Sequence, residues 1–282
     1  MDVRVTSDPQ AFERTVLPFL QQDPVLHTIV MSNVHERASG TARPEDEPSY
    51  FVSAHDSGHD PDVVGVAMRT PGRGVYVGAL REDLAEPIAE AYAGVLPELK
   101  GVAGDRPAAL RFGRRWCELR GGTATETRGT RLHKLIEFTP LEADSGAARP
   151  MRADDVGLVA AWGDGFAAEV TDEIAADHHE WAERQLTERT LWIWEAAGRP
   201  VSMVGYHSAL FGVCRVGPVY TPPEHRRHGY AGALTSHVTA NILATGNQAC
   251  LYTDLANPTS NKIYHQAGYR PVADFVDLEF TA

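Results

Sequence analysis

Arg226, Gly229 and Ala231 stand in the order R-x-x-G-x-A within the run Arg215–Gly232, RVGPVYTPPEHRRHGYAG. An apolar, strand-like stretch ends at Thr221, because Pro222 and Pro223 cannot donate to a ladder. A turn follows with His225, Arg226, Arg227 and His228, and a helical pattern begins at about Tyr230. Gly229 permits a positive φ and a close approach of backbone to a ligand. Residues Arg227, His228, Gly229, Tyr230, Ala231 and Gly232 thus offer successive N–H groups at a helix start. Unsatisfied donors and about half a positive charge collect there, which suits a pyrophosphate. Taken alone, the run also makes an ordinary strand–turn–helix junction with a solvated basic turn. It is neither a G-x-x-x-x-G-K-[ST] loop nor a G-x-G-x-x-G fingerprint; both are absent from the chain.

A second constellation lies one helix and one strand further on, in Asn257–Tyr269, NPTSNKIYHQAGY. Asn257 followed by Pro258 makes a good cap and first residue for a short helix. Ser260 and Tyr264, four residues apart, share one face of it, and Gly268 ends it.

The elements that must position these residues can be read around them. Tyr230–Thr245 is a helix with Ala231, Leu234, Val238 and Ile242 on one face and Gly246 as its stop. Ala249–Leu255 is a strand. Upstream, Arg152–Ala168 and Asp172–Leu186 read as helices, then Thr190–Ala196, Arg199–Ser208 and Cys214–Thr221 as strands; Phe275–Phe280 closes as a last strand. The order predicts an α/β fold around a mixed sheet over residues 151–282.

Leu141–Pro150 (LEADSGAARP) is small, polar and closed by proline, and is expected to link two domains, 1–140 and 151–282. The first half repeats the rhythm loosely: a helix over Leu20–Ala38, strands at Ser49–Ala54, Asp62–Arg69 and Gly74–Gly78, a helix over Leu84–Val95, then a helix at Ala108–Glu118 and a strand at Thr130–Phe138. DVVGVAMRT in the first half matches PVSMVGYHSA in the second by pattern.

The pair R-x-x-G-x-A and N-x-x-S-N-x-x-Y-x-x-x-G-Y, separated by one helix and one strand, resembles the GNAT superfamily of acyl-CoA N-acyltransferases. The resemblance covers about residues 150–282 and implies acetyl-CoA as cosubstrate, with no metal. It implies that Val219, Tyr220 and Thr221 bind the pantetheine arm as an edge strand would, and that Arg226 to Gly232 hold the pyrophosphate. Asn257, Ser260 and Asn261 would line the cosubstrate, and Tyr264 would be the general acid toward the leaving thiolate. A backbone N–H near Val219 would stabilise the oxyanion. Tyr264 as an aromatic of the core, and Asn257 as a cap alone, are the plain structural alternatives.

One departure stands out. Family members often carry a glutamate on the strand before the phosphate loop, and Arg215 occupies the aligned position here. A base is needed because an alkyl amine is mostly protonated at neutral pH. Glu169, Asp254, Glu224 and a relayed water are the candidates, Glu224 lying close to the phosphates, and a mechanism with no dedicated base stays open. The first half carries neither motif; after Val77 comes Gly78-Ala-Leu-Arg-Glu-Asp, whose acids would repel phosphate. It is expected to be a degenerate GNAT-like domain that has lost the cosubstrate.

The formal charge of −12 argues against a nucleic-acid partner, and no apolar run is long enough to span a bilayer. Cys117, Cys214 and Cys250 are scattered and odd in number, which argues against disulfides or zinc and for a cytoplasmic setting. His55/His59, His178/His179 with Glu180, and His225/His228 lack metal-site spacing. Trp192 and Trp194 share a strand face and read as core. Trp162 and Trp181, Phe166, Glu169 and the acidic run Asp172–Glu183 are candidates for an acceptor pocket or for ordinary core and solvated surface. The expected acceptor is an amine-bearing small molecule or peptide, in a monomer or homodimer. The alternative is a non-catalytic acyl-CoA-binding regulatory module.

Overall fold

The computed structural model describes residues 1–58, 62–170 and 177–281. His59 and residues 172–176, the start of the helix expected over Asp172–Leu186 and of the acidic run, lie outside the described residues. Two compact units are present: Met1–Leu132 with Asp254–Ala256 and Pro271–Ala282, and His133–Thr253 with Asn257–Arg270.

In the first half the chain forms β1 (Asp2–Thr6), α1 (Pro9–Leu20), α2 (Thr28–Ala38), β2 (Tyr50–His55), β3 (Val63–Arg69), β4 (Val75–Gly78), α3 (Ala85–Val95), β5 (Gly101–Asp105), α4 (Arg106–Arg120) and β6 (Thr123–Leu135). In the second half it forms β7 (Ala147–Pro150), α5 (Val156–Val170), α6 (His178–Glu188), β8 (Leu191–Ala196), β9 (Arg199–Tyr206), β10 (Val213–Tyr220), α7 (Tyr230–Ala244), β11 (Gln248–Asp254), α8 (Pro258–Gln266) and β12 (Tyr269–Thr281). Both halves run β-α-α-β-β-β-α-β-α-β. The pattern match between DVVGVAMRT and PVSMVGYHSA corresponds to β3 and β9, the third strand of each series.

The helix expected over Leu20–Ala38 is α2 alone, which begins at Thr28; Leu20 is the last residue of α1, a separate helix not expected from the sequence. Asp8 caps α1 through Oδ1, which accepts from the Ala11 N–H at 3.0 Å, and Pro9 occupies its first position. Leu141–Pro150 is not simply a linker: its last four residues are β7, paired antiparallel with β8 from Ala147 opposite Glu195 to Pro150 opposite Trp192. Pro150 is tolerated because β7 is an edge strand.

In the first unit β1–β2, β2–β3 and β3–β4 pair antiparallel and β4–β5 pair parallel. β5 then pairs antiparallel with Phe275–Glu279 of β12, so the end of the chain completes this sheet. Tyr92 of α3 and Phe112 and Trp116 of α4 pack on Val52, Ala54, Val102, Val276 and Leu278. Phe12 of α1 stacks on Phe51 at 4.9 Å, on the other side of β2 by strand alternation.

In the second unit β7–β8, β8–β9 and β9–β10 are antiparallel and β10–β11 parallel. Leu234, Val238 and Ile242 of α7 and Tyr264 of α8 pack with Val204, Cys214, Val216 and Leu251. Val159 and Trp162 of α5 and Ala182 of α6 pack with Leu191, Ile193 and Met203, alternate strand positions that face the opposite side. Trp162 therefore belongs to the core, with Trp181 at its margin, and Trp192 and Trp194 flank the α7 side. Among the described residues, no helix is long and apolar enough to cross a membrane.

Candidate active site

β10 and β11 run parallel and pair residue for residue from Val213 opposite Gln248 to Val216 opposite Leu251. β10 continues to Tyr220 and β11 to Asp254, but no pair follows Val216–Leu251. On its other edge β10 keeps its partner, with Val219 opposite Val204 and Tyr220 opposite Met203 after an irregularity between Val216 and Val219. The extra residues of a bulge bend the strand. The result is a wedge between two parallel strands, one side of which is the edge at Val219–Thr221.

The start of α7 stands at this wedge. Arg227 and Gly229 both adopt left-handed conformations, with φ of 72° and 76°. Gly229 is the N-cap and has no side chain to cap with, so the first-turn N–H groups of Tyr230, Ala231 and Gly232 have no side-chain acceptor there. The first helical bond runs from the Ala233 N–H to the Gly229 carbonyl at 3.0 Å. Arg226 anchors the turn: its Nε donates to the Thr221 carbonyl at 2.8 Å and its guanidinium pairs with Glu169 of α5. Its guanidinium also lies 6.0 Å from the Tyr220 ring. His228 stacks on Tyr230 at 5.4 Å. The turn is exposed from Arg226 to Gly229, as the solvated-turn reading also expects.

Tyr264 is buried in the same apolar cluster as Val216 and Leu251, the last pair before the strands part. Its ring meets Tyr269 edge-on at 6.2 Å. Among the described residues its hydroxyl has no hydrogen-bond partner, whereas the Tyr269 hydroxyl is bonded to Thr239 Oγ1 at 2.7 Å. Burial pushes the Tyr264 phenol well above its ordinary range, so it keeps its proton at any physiological pH. Asn257 is the cap of α8, its Oδ1 accepting from the Ser260 N–H at 3.0 Å. Asn261 accepts from Thr253 Oγ1 at 2.8 Å and donates to the Asn257 carbonyl at 2.8 Å. These asparagines hold the α8 start in place.

Of the three carboxylates considered as bases, Glu169 and Asp254 are engaged in ion pairs, and Glu224 is exposed in the short turn of helix before Arg226. Glu169 is paired with Arg226 at the turn before α7. Asp254 belongs to the first unit, accepts from Arg128 Nε at 3.1 Å and caps the following turn through the Ala256 N–H. Arg215 lies on β10 opposite Cys250, where the aligned glutamate of the resemblance would be.

Sequence reasoning missed the chain that covers this site. Residues 136–146 run from the end of α8 to the start of α7: the Thr139 N–H donates to the Ala267 carbonyl at 3.1 Å and the Leu141 N–H to Ser236 Oγ at 2.9 Å. From the sequence, residues 136–138 read as the end of a strand and 141–146 as linker, so no local pattern announces this packing. It also explains Gly268, where a Cβ would stand 1.7 Å from the Glu137 carbonyl oxygen.

The first unit has the corresponding strands and no wedge. β4 and β5 are paired again, after an irregularity between Tyr76 and Gly78, at the last residue of β4, Gly78 opposite Gly104. A Cβ at Gly104 would stand 2.4 Å from Val77 Cγ2 and 2.8 Å from the Gly78 carbonyl oxygen, so the strands are closed against each other. The turn that follows carries the Arg81–Asp83 ion pair, which occupies its one cationic side chain. Among the described residues no group of three His, Cys, Asp or Glu could hold a metal ion, and none of the three cysteines forms a disulfide.

Residues 197–276 match the family model described as FR47-like protein. Solved structures extend the likeness to the whole chain. A GNAT-family acetyltransferase from Colwellia psychrerythraea aligns over 100% of both chains with a TM-score of 0.60 at 13% identity. A Drosophila protein covers 99% of this chain and 98% of its own with a TM-score of 0.70 at 14% identity. A GCN5-related N-acetyltransferase from Sphaerobacter thermophilus covers 99% and 95% with a TM-score of 0.61 at 15% identity. No curated protein sequence matches the chain. At these identities the likeness is one of fold: the chain has the fold of GNAT acetyltransferases, and its element order repeats in the two halves.

Proposed function

We propose that this chain is an acyl-CoA-dependent N-acyltransferase that moves an acetyl group from acetyl-CoA to a primary amine of a small molecule or peptide, by direct attack in a ternary complex. The observation that carries the reading is the parting of β10 and β11 after Val216–Leu251 beside an uncapped helix start. An extended pantetheine arm fits that wedge as an added strand along Val219, Tyr220 and Thr221. The first-turn amides of α7 suit the pyrophosphate, with Arg226, Arg227 and His228 adding positive charge when protonated.

In this reading the Val219 N–H faces the developing oxyanion. Tyr264, held protonated by burial, donates to the sulfur as the thiolate departs. For Glu169 or Asp254 to take the amine proton directly, an ion pair with arginine must first open. Proton loss to water needs no such step and is the route we favour. The same two pairs favour the second reading, a module that binds acyl-CoA without turnover.

Calorimetric titration with acetyl-CoA, free CoA and a longer acyl-CoA tests the proposal. One site per chain is expected, because the β4–β5 junction is closed. Two sites would mean that the first unit also binds, and no binding would end the assignment. Turnover on a panel of amines separates the enzyme from the silent module.

A further inference from the structure

Leu141 sits where α7 and α8 come together. A Cβ at Gly232 of α7 would meet Leu141 Cδ1 at 3.2 Å and Ile263 Cγ2 of α8 at 3.5 Å, so these three residues converge on one point. The Leu141 N–H is fixed to Ser236 Oγ, one turn further along α7. Its neighbours follow the same helix to its start, where a Cβ at Gly229 would stand 3.1 Å from the Glu142 carbonyl oxygen and 3.4 Å from Ala143 Cα. The segment is tied down beyond this point, the Ser145 carbonyl accepting from Trp194 Nε1 at 2.9 Å.

We propose that Leu141 is a positioning residue of the acyl-transfer site, a wedge that sets the spacing between the phosphate-binding start of α7 and Tyr264 on α8. The inference rests on the acyltransferase reading given above. Gly232 closes the phosphate turn, and Ile263 precedes Tyr264 in the chain, so a side chain packed where the two approach sets one against the other. A leucine is partly buried here within a chain segment whose other residues are mostly small or charged, and it packs against the α7–α8 side of the core. Removing it leaves a gap that the two helices close by shifting, and misplacement by about 1 Å is enough to cost about 100-fold in rate.

The experiment is a cycle of Leu141→Ala, Tyr264→Phe and the double variant in the full-length protein, with acetyl-CoA affinity and turnover measured for each. Leu141→Met, of similar volume, is the conservative rescue, and Leu243→Ala, at an exposed position near the far end of α7, is the control. We expect Leu141→Ala to weaken acetyl-CoA about tenfold and to lower kcat further. The double variant should be scarcely slower than Tyr264→Phe alone, since a misplaced phenol no longer contributes. Leu141→Met should restore both quantities. Independent effects of Leu141→Ala and Tyr264→Phe, or a loss of thermal stability with affinity and kcat unchanged, would overturn the wedge while leaving the acyltransferase reading intact. Should Leu141→Ala not fold, the graded Leu141→Val decides on the same two readouts. Failure of the unsubstituted protein to bind acetyl-CoA would overturn both readings, and is told apart by that fact.

Discussion

Val216 and Leu251 are the last residues that β10 and β11 place opposite one another, and Gly229 begins the helix that follows β10 beside the opening. Gly229 is bound there by conformation as well as by space. Its φ is 76°, and the Glu142 carbonyl oxygen stands 3.1 Å from where a Cβ would be. A left-handed residue with a Cβ costs about 1–2 kcal/mol, and a carboxylate would oppose the anion the turn is suited to hold. Gly229→Glu is therefore expected to weaken acetyl-CoA by at least about 100-fold, which corresponds to ~2.7 kcal/mol. Gly229→Ala should fall between the two. Calorimetry on both, with thermal unfolding to confirm the fold, checks the assignment; normal affinity in Gly229→Glu would mean that the phosphate turn lies elsewhere.

Tyr264→Phe separates chemistry from packing. The ring is buried against Tyr269, and its hydroxyl has no partner among the described residues, so phenylalanine keeps the contacts and strands no polar group. Stability should change by less than about 0.5 kcal/mol. Turnover should fall about 100-fold, within the range of a general acid, while acetyl-CoA affinity stays nearly unchanged. Stopped-turnover assays beside denaturant melts read both; unaltered turnover would remove Tyr264 from the reaction.

The second half was legible because its signals are local. Gly246 and Gly268 stop α7 and α8, Asn257 caps α8, and the apolar periodicity of Leu234, Val238 and Ile242 is the buried face observed. The first half hides its strands. β5 reads Gly-Val-Ala-Gly-Asp, a poor strand by propensity, and it is a strand because neighbours demand its glycines: a Cβ at Gly101 would stand 2.0 Å from the Leu278 carbonyl oxygen. Leu278 is far away in sequence, and no local pattern announces it. Asp8-Pro9 is a readable start for α1 that the sequence expectation passed over, and the expected helix over Leu20–Ala38 begins at the last residue of α1 and runs through the break before Thr28. The closed junction at Gly78 and Gly104 and the engagement of Glu169 and Asp254 are tertiary facts, beyond any motif.

The dependence of the first unit on the end of the chain predicts how the protein tolerates cutting. Phe275, Val276 and Leu278 are buried in that unit, and Phe280 stacks on Trp116 at 6.1 Å. A fragment ending at residue 140 lacks all four and should not fold, although it spans the whole of α1 to β6. In the intact chain, Leu278→Ala should cost the first unit about 2–5 kcal/mol, the usual range for a core leucine. Amide exchange of Gly101–Asp105 should speed up accordingly, while exchange in Leu191–Ala196 of the second unit changes little. Equal acceleration in both stretches would show that the two units do not unfold separately.

His237 gives the second unit a dependence on pH. Its ring lies against Trp192 at 4.4 Å, and its buried Nε2 has no hydrogen-bond partner among the described residues. Burial disfavours the imidazolium, so the pKa in the folded protein lies below the usual histidine value of about 6.5 in the unfolded chain. Between those two values the unfolded chain binds more protons than the folded one, so stability rises with pH. The contribution is complete above about pH 6.5 and is lost as the pH falls toward the depressed folded value. His237→Phe keeps an aromatic ring against Trp192 and removes the titration. Its melting temperature, followed by tryptophan emission, should match that of the unsubstituted protein near pH 7.5 and exceed it at pH 5.5. Trp116 alone of the five tryptophans belongs to the first unit, so the signal reports mainly on the second. A gap between the two proteins that does not grow as the pH is lowered would mean that His237 is accommodated in its charged form.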